Sequence, residues 1–304
     1  MVNTSAPLLE LKRLLDGAQL PALPQSAIRM LQLSQDSNNG PAEFTVPIES
    51  DPGLAGQVLR FVNSSYFGFS REISSVKLAI TLVGVRTIKN FVLWSAVFSL
   101  MPNPKCGPFD LKSLWTDSLR RALFARAAAK LLGMKEIEEP FAAALLQDMA
   151  IPLLAKEAPK LYIKLLEARD GGKFRLSYME DRVFGWTHAE AGGIMARQWK
   201  LPDDFAVLIE NHHAVDRLVA QGDAERGKLV VALSALLPAV ADPLWLELET
   251  FEKSYRKICP HGAPSAVELL YQVDQEFADF APMLKLPNPR KSIVDAYNEV
   301  AASV

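Results

Sequence analysis

Imidazoles and carboxylates are the side chains from which divalent-metal sites and proton relays are built, and this chain uses imidazole sparingly. Three of its four histidines are His188 and the pair His212-His213. Upstream lie Asp117 and the pair Gln147-Asp148, the latter set inside AAALLQDMAIPLL (142–154) among Leu145, Leu146, Met149 and Ile151. Nitrogen and oxygen donors of this mixture can together hold an ion that activates water. Gln147 is a poor member of such a set, because its amide carries no charge and lacks the basicity of imidazole.

Each residue also has a plainer role. Asp117 has Arg120 and Arg121 one helical turn on, at i+3 and i+4, and pairing with them is the favoured reading. Gln147 is expected to hydrogen-bond within a buried layer, with Asp148 capping or accepting from backbone N–H groups. His188 falls just inside a capping box, Thr187-His188-Ala189-Glu190. His212 and His213 close a helix, where a cationic imidazole meets the negative end of the dipole. Structural roles are therefore favoured over metal binding, and no metal or cofactor is expected.

Other chemistries find little support. There is no GxSxG elbow and no GxxxxGK[ST] phosphate loop. Cys106 and Cys259 lie far apart without CxxC spacing, which argues against a disulfide scaffold or zinc knuckle and for a reducing cytoplasm. With 33 Lys plus Arg against 35 Asp plus Glu, the net charge of −2 favours neither a polyanion nor an anionic membrane as partner. SVKLAITLVGVRTIKNFVLW has helix–turn–helix spacing, but its second helix offers only Arg86 and Lys89 before turning apolar, so packing explains it better. FVLWSAVFSLM (91–101) is too short to span a bilayer. A cytoplasmic protein with no nucleic-acid or membrane partner is expected.

The elements that must position these residues are helices. The chain is 49% hydrophobic over 304 residues, ample for a large core. Leu9, Leu11, Leu14 and Leu15 open an amphipathic helix, and Ile28, Leu31 and Leu33 continue the pattern. Asp51-Pro52 reads as an N-cap with proline at the first helical position. Ser74 or Ser75 starts a helix that Gly84 ends, and Thr87 begins the next. The prolines and glycine of PNPKCGPF (102–109) mark a linker, after which Asp110 caps a long helix ending at Gly133. Two helices are expected over 139–170, one from Thr187 to Trp199, and another from Leu201-Pro202-Asp203 to the His212-His213 pair. GDAERG (222–227) reads as a surface turn, followed by three or four helices. No strand alternation appears, so the fold class is all-α.

Several stretches together resemble the HDOD domain family: LPALP (20–24), ESDPGLAGQVLRFVNSSYFGFSREISSVKLAITLVGVRTIKNFVL (49–93), LW (114–115), FAAALLQDMAIPLL (141–154), HAEAGGIMARQWKLP (188–202) and ENHH (210–213). The resemblance spans about residues 16–215. It implies a multi-helix fold with an HDOD-specific half (1–105) and a half like the HD phosphohydrolases (110–216), leaving 217–304 as a helical extension. It also implies a bacterial signalling protein, non-catalytic, acting through contacts with a kinase, a cyclase or a regulator. Carried over by position, the first metal histidine of the HD relatives falls at Asp117 and their His-Asp pair at Gln147-Asp148. His188, His212 and His213 match later ligand positions, and the terminal aspartate is missing from Val231–Ser234. These six residues, 117, 147, 148, 188, 212 and 213, are thus expected to form a degenerate metal site. Pro47 departs from the family pattern and is expected to break or kink a short helix.

A contact surface is expected around Asn63, Tyr66, Phe67 and Phe69, where aromatics beside a glycine can anchor an interface; core packing is the plainer reading. Two rivals remain. One is a phosphohydrolase with an atypical site built from Asp117, Asp148, His188, His212 and His213. The other is a sensor binding a nucleotide or a metal in the same pocket without chemistry.

Overall fold

Side-chain oxygens start several of the helices. Asp51 accepts from the Leu54 N–H at 3.0 Å, Ser75 from that of Leu78 at 3.3 Å and Asp110 from that of Ser113 at 2.8 Å. Each satisfies a donor that the first helical turn leaves open. The computed structural model describes residues 5–18, 20–34, 36, 38–221 and 225–302, and among them there are helices and no strand. The first six helices are α1 (Ser5–Gly17), α2 (Gln25–Leu33), α3 (Pro41–Glu49), α4 (Pro52–Val62), α5 (Val76–Val83) and α6 (Val85–Leu100). Next come α7 (Leu111–Leu131), α8 (Glu138–Leu146), α9 (Ile151–Glu157), α10 (Pro159–Ala168), α11 (Leu176–Phe184) and α12 (His188–Gln198). The last six are α13 (Asp203–Glu210), α14 (Val215–Gln221), α15 (Arg226–Ser234), α16 (Leu248–Ile258), α17 (Ala266–Phe280) and α18 (Ile293–Ala301). None of these is long and apolar enough to cross a membrane. Of the turn expected over 222–227, residues 222–224 lie outside the described residues, as do residues 1–4 of the N-terminal stretch.

The chain divides into two units. One comprises residues 21–101 and 278–286. Its core holds Met30, Phe44, Ile48, Val58, Ile80 and Ile88. Phe61 stacks on Phe91 with ring centroids 4.2 Å apart, and Phe280 comes within 4.2 Å of Tyr66 and 5.8 Å of Phe61. Gly84, at φ 94°, turns the chain where a residue with a Cβ would be strained, and α6 starts directly after it, two residues before the expected Thr87. The expected break at Pro47 does not occur. Helix α3 runs through it to Glu49, and Pro47 is buried, so the burial of its ring offsets the one N–H the helix forgoes.

The second unit comprises residues 1–20, 102–277 and 287–304. Helix α7 is buried along most of its length, and small residues such as Ala122, Ala125, Ala128 and Ala129 let α8 and α15 approach it closely. Helices α12 and α13 form a tight hairpin joined by Trp199–Pro202. A Cβ added to Gly193 would fall 2.1 Å from Glu210 Cγ, and one added to Gly192 2.8 Å from Ile209 Cγ2, so glycine is needed at both. That hairpin brings the start of α12 beside the end of α13, and with them His188 beside His212-His213. Residues 139–170 form three helices where two are expected, because the chain turns at 147–150 between α8 and α9. Helix α11, unforeseen in the sequence, follows.

The residues proposed as a contact surface turn partly inward. Asn63 donates through Nδ2 to the Leu59 and Ile73 carbonyls at 2.9 and 2.7 Å and accepts from the Ile73 N–H at 2.7 Å, tying off the loop that follows α4. Tyr66 and Phe67 are half-buried against Phe280 and Phe61, while Phe69 is exposed. Asn63→Ala, by removing this clamp, is expected to lower the unfolding free energy by about 1–3 kcal/mol. Urea unfolding would measure it, and an unchanged midpoint would mean the loop holds without the amide.

Candidate functional site

The site begins with a helix that stops. Met149 N–H bonds back to the Leu146 carbonyl at 3.0 Å and Ile151 N–H to that of Asp148 at 3.1 Å, making a tight turn from which α9 restarts with Pro152 in its first turn. Leu146, Met149 and Ile151 are buried and anchor the turn, and Asp148 is fixed within it. His188 is the first residue of α12, placed by the predicted capping box: the Thr187 N–H donates to Glu190 Oε2 at 2.7 Å. His212 and His213 follow the end of α13, with the His212 N–H reaching the Ile209 carbonyl at 3.4 Å.

These elements bring Asp148, His188, His212 and His213 to one point, with one ligand atom of each lying within 4.8 Å of the others. Asp148 Oδ1 is 3.2 Å from His188 Nε2 and 3.5 Å from His212 Nε2. His188 Nε2 is 3.3 Å from His212 Nε2 and 2.9 Å from His213 Nε2. The far nitrogens are already committed: Nδ1 of His188 lies 2.6 Å from Glu180 Oε2 and Nδ1 of His212 lies 2.6 Å from the Ile209 carbonyl. A proton on each Nδ1 leaves the Nε2 lone pairs facing inward toward a carboxylate oxygen. His213, whose Nδ1 is buried without a partner, can carry its proton on Nε2 and donate to His188 Nε2, while the lone pairs that face Asp148 favour a cation among them.

Two cations fit. One is a proton on His188. Burial works against the imidazolium, but Glu180 and Asp148 outweigh it and raise the His188 pKa to about 9. The other is a divalent metal ion. Tetrahedral ligands about 2.0–2.1 Å from an ion stand about 3.3 Å apart, and the three separations among Asp148, His188 and His212 bracket that value. Imidazoles that pass their second N–H to a carboxylate and to a main-chain carbonyl are the usual surroundings of metal-bound histidine. Those three donors therefore fit one divalent ion, with His213 within 4.8 Å of each.

The other polar groups limit the site. Arg121 pairs with Asp148 through Oδ2, leaving Oδ1 to the imidazoles. Burial pushes the Asp148 carboxyl up, yet Arg121 and the bonds from His188 and His212 hold it well below the usual carboxylate range. His212 and His213 are both held below the ordinary imidazole value by burial first; His188 adds to this at His212 against the pull of Asp148, and His212 and His188 add to it at His213. Glu180 is fully buried and gives one oxygen to His188, through its N–H at 2.9 Å and its ring, while the other accepts from Tyr162 Oη at 2.7 Å.

Not every expected residue joins the cluster. Asp117 is buried and accepts the Val240 N–H at 2.8 Å; burial raises its pKa to about 6 against the pull of Arg121 and Arg120. Gln147 is fully buried, and neither of its amide atoms has a partner. Sequence reasoning missed Glu180, Tyr162 and the Arg121–Asp148 pair. Arg121 was read as a partner for Asp117, and no spacing in LSYMEDRVF marks Glu180 as anything but a solvated helix residue.

Comparison with known proteins places these observations. A model of the HDOD domain matches residues 20–215. An uncharacterized protein of Treponema pallidum (strain Nichols) is 23% identical over 195 residues, which cover 64% of this chain and 37% of that protein. The chain thus spans well under half the length of the curated relative it matches. Among solved structures, an HDOD domain protein of unknown function from Geobacter sulfurreducens has a TM-score of 0.64 at 21% identity, over 99% of this chain and 94% of its own. A candidate phosphohydrolase from Shewanella amazonensis SB2B scores 0.63 at 20% identity over the same shares. A candidate signal-transduction protein from Marinobacter aquaeolei VT8 scores 0.65 at 17%, over 99% of this chain and 66% of its own. At such identities the likeness establishes the fold.

Two outcomes follow from the geometry. Gln147→Met keeps the volume and removes the unpaired amide, so it is expected to raise stability by about 1–2 kcal/mol in urea unfolding; a loss would mean that the amide has a partner in solution. In chelated protein the folded pKa of His188, about 9, stands above its unfolded value of about 6.5. The stability it contributes is complete below about pH 6.5 and is lost as pH rises through about 9, by at most about 3 kcal/mol. Unfolding curves across that window would show the decline in the parent and its absence in His188→Gln.

Proposed function

The chain belongs to the HDOD domain family, and from that premise we propose that it is a signal-transduction module that works through contacts with other proteins, a kinase, a cyclase or a regulator, and performs no turnover at its own cluster. One observation carries the non-catalytic reading: Asp148 is committed to Arg121 and its neighbour Gln147 offers no charge. Asp148, His188 and His212 stand at separations that suit one ion, and His213, within 4.8 Å of each, can take the position that a catalytic ion keeps open for water or substrate. Arg121 occupies the second oxygen of Asp148, so another ion would have to displace a guanidinium.

When bound, a divalent ion there would supply positive charge that ties together the turn between α8 and α9, the start of α12 and the end of α13. A proton on His188 ties the same three elements more weakly. Either way the cluster acts as a fastener whose state is communicated to the helices that meet at it. The resemblance in fold to the candidate signal-transduction protein of Marinobacter aquaeolei agrees with this reading.

A second reading, an atypical phosphohydrolase, has one observation in its favour. Asp148, His188 and His213 line a cavity, so the cluster is reachable from one side. The candidate phosphohydrolase of Shewanella amazonensis shares the fold. The two readings separate cleanly. Zinc, manganese or iron(II) added to chelated protein is expected to raise the melting temperature, with the gain lost in His212→Ala, while bis(p-nitrophenyl) phosphate stays intact with each metal. Turnover that disappears in His188→Ala would overturn the non-catalytic reading.

A further inference from the structure

The cavity beside the cluster measures about 180 Å³, and Asp148, His188 and His213 line one part of it. Another part is formed by the connection between α15 and α16, where Pro238, Ala239, Ala241, Asp242 and Leu244 line it. That connection is fixed at both ends. Leu236 and Leu237 are buried, and so is Trp245, whose Nε1 donates to the Leu236 carbonyl at 2.8 Å while its ring packs on Phe251. Between these points residues 238–244 are half-buried or exposed.

The backbone of this stretch does little to hold it. The Asp242 N–H bonds to the Ala239 carbonyl at 3.0 Å, which makes one turn, and Pro238 and Pro243 have no N–H to give. Ties to other elements carry more of the load. The Val240 N–H donates to Asp117 on α7 at 2.8 Å, Arg169 at the end of α10 donates to Asp242 Oδ2 at 2.6 Å, and Lys291 Nζ donates to the Pro243 carbonyl at 3.0 Å. Asp117, Arg169 and Asp242 all line the cavity, so the first two ties join one part of its wall to another. The turn after α10 is shaped to the same stretch. Gly171 and Gly172 stand at φ 66° and 95°, and a Cβ on Gly172 would fall 2.7 Å from Asp242 Cγ. A segment with few bonds of its own, held by a few polar ties, can open while the helices around it stay folded.

We propose that residues 238–244 are a strap that closes this cavity and that, by parting from Asp117 and Arg169 while Leu237 and Trp245 stay buried, opens a way from solvent to His213 and Asp148. The ties suit that role because parting them strands little charge. The Arg169 and Asp242 side chains are 24% and 11% exposed, so water already reaches both and takes over their pairing as they separate. Asp117 keeps the charges of Arg120 and Arg121 beside it when the Val240 N–H leaves. The long Lys291 side chain can follow the carbonyl it holds. The inference concerns access to the cluster and holds whether a proton or an ion occupies it, and with or without turnover there. It adds to the module a device that sets when solutes reach its buried site.

The test uses the whole chain, treated with chelator, and two readings by mass spectrometry. One is hydrogen exchange of the backbone over 238–244. The other is carbethoxylation of each histidine by diethyl pyrocarbonate, a reagent that attacks neutral imidazole, the form that burial favours at His213. His261, exposed in a loop, serves as the internal standard. Asp242→Ala removes the Arg169 tie from the strap itself. It is expected to speed exchange over 239–242 and modification of His213 together, each by roughly tenfold, with His261 unchanged. Asp117→Asn, which weakens the second tie, is expected to raise both by a smaller common factor, so the proposal stays testable should one variant fold poorly. Faster exchange in the strap with an unchanged rate at His213 would overturn the proposal, as would no change in either reading. So would modification of fully buried His212 rising by the same factor as His213 in both variants, since the whole unit would then be opening.

Discussion

A carboxylate and three imidazoles meeting out of water impose one requirement on everything around them: positive charge at the centre. Asp148, His188 and His212 are almost wholly buried, and Glu180 behind His188 is completely so. Unpaired, two buried carboxylates would cost many kcal/mol. The structure meets the requirement with an alternating chain, Glu180, His188, Asp148 and Arg121, in which each charge faces its opposite. His188 can hold its place in that chain as an imidazolium or as a ligand to an ion. A neutral His188 without an ion leaves Glu180 hydrogen-bonded but facing no cation and Asp148 with Arg121 alone, which is why its pKa is raised.

That requirement accounts for local features that otherwise look like interruptions. A continuous helix over 138–157 would give Asp148 no turn to sit in, and the chain instead stops at Leu146 and restarts at Ile151. The paired glycines of α12 permit a spacing to α13 that any side chain would prevent, and only at that spacing do His188 and His212 come within 3.3 Å. Main-chain geometry then finishes the work. The Ile209 carbonyl, near the end of α13, accepts from the His212 N–H and also lies 2.6 Å from Nδ1 of His212, which turns Nε2 to the centre.

Much of this was legible in the sequence, and the parts that were share a physical origin. Local rules govern caps and ends, so Asp51-Pro52, Asp110, Gly84 and the Thr187–Glu190 box could be read from a few neighbouring residues. Periodicity marked the helices for the same reason. What escaped depends on distant residues meeting. Arg121 looked toward Asp117 four residues back, yet it pairs with Asp148, twenty-seven residues on. Glu180 lies in a helix with ordinary polar spacing, and only its meeting with Tyr162 and His188 reveals its role. Pro47 was misjudged because the general cost of proline in a helix is known while the gain from burying its ring depends on the packing around it.

Stability alone does not call for such a cluster. Buried ion pairs are poor sources of stability, and apolar residues of the same volume would often do better. What charged groups add is a sharp dependence on state. An apolar contact between α9, α12 and α13 would be insensitive to pH, whereas this junction carries His188, whose pKa is raised to about 9. On the proposed reading a metal ion would act on the same helix ends, and its entry would expel the His188 proton. A module that reports a condition to a protein partner needs an element that can exist in two arrangements. On the proposed reading the cluster, balanced between proton and ion and tied to three helix ends, would be that element.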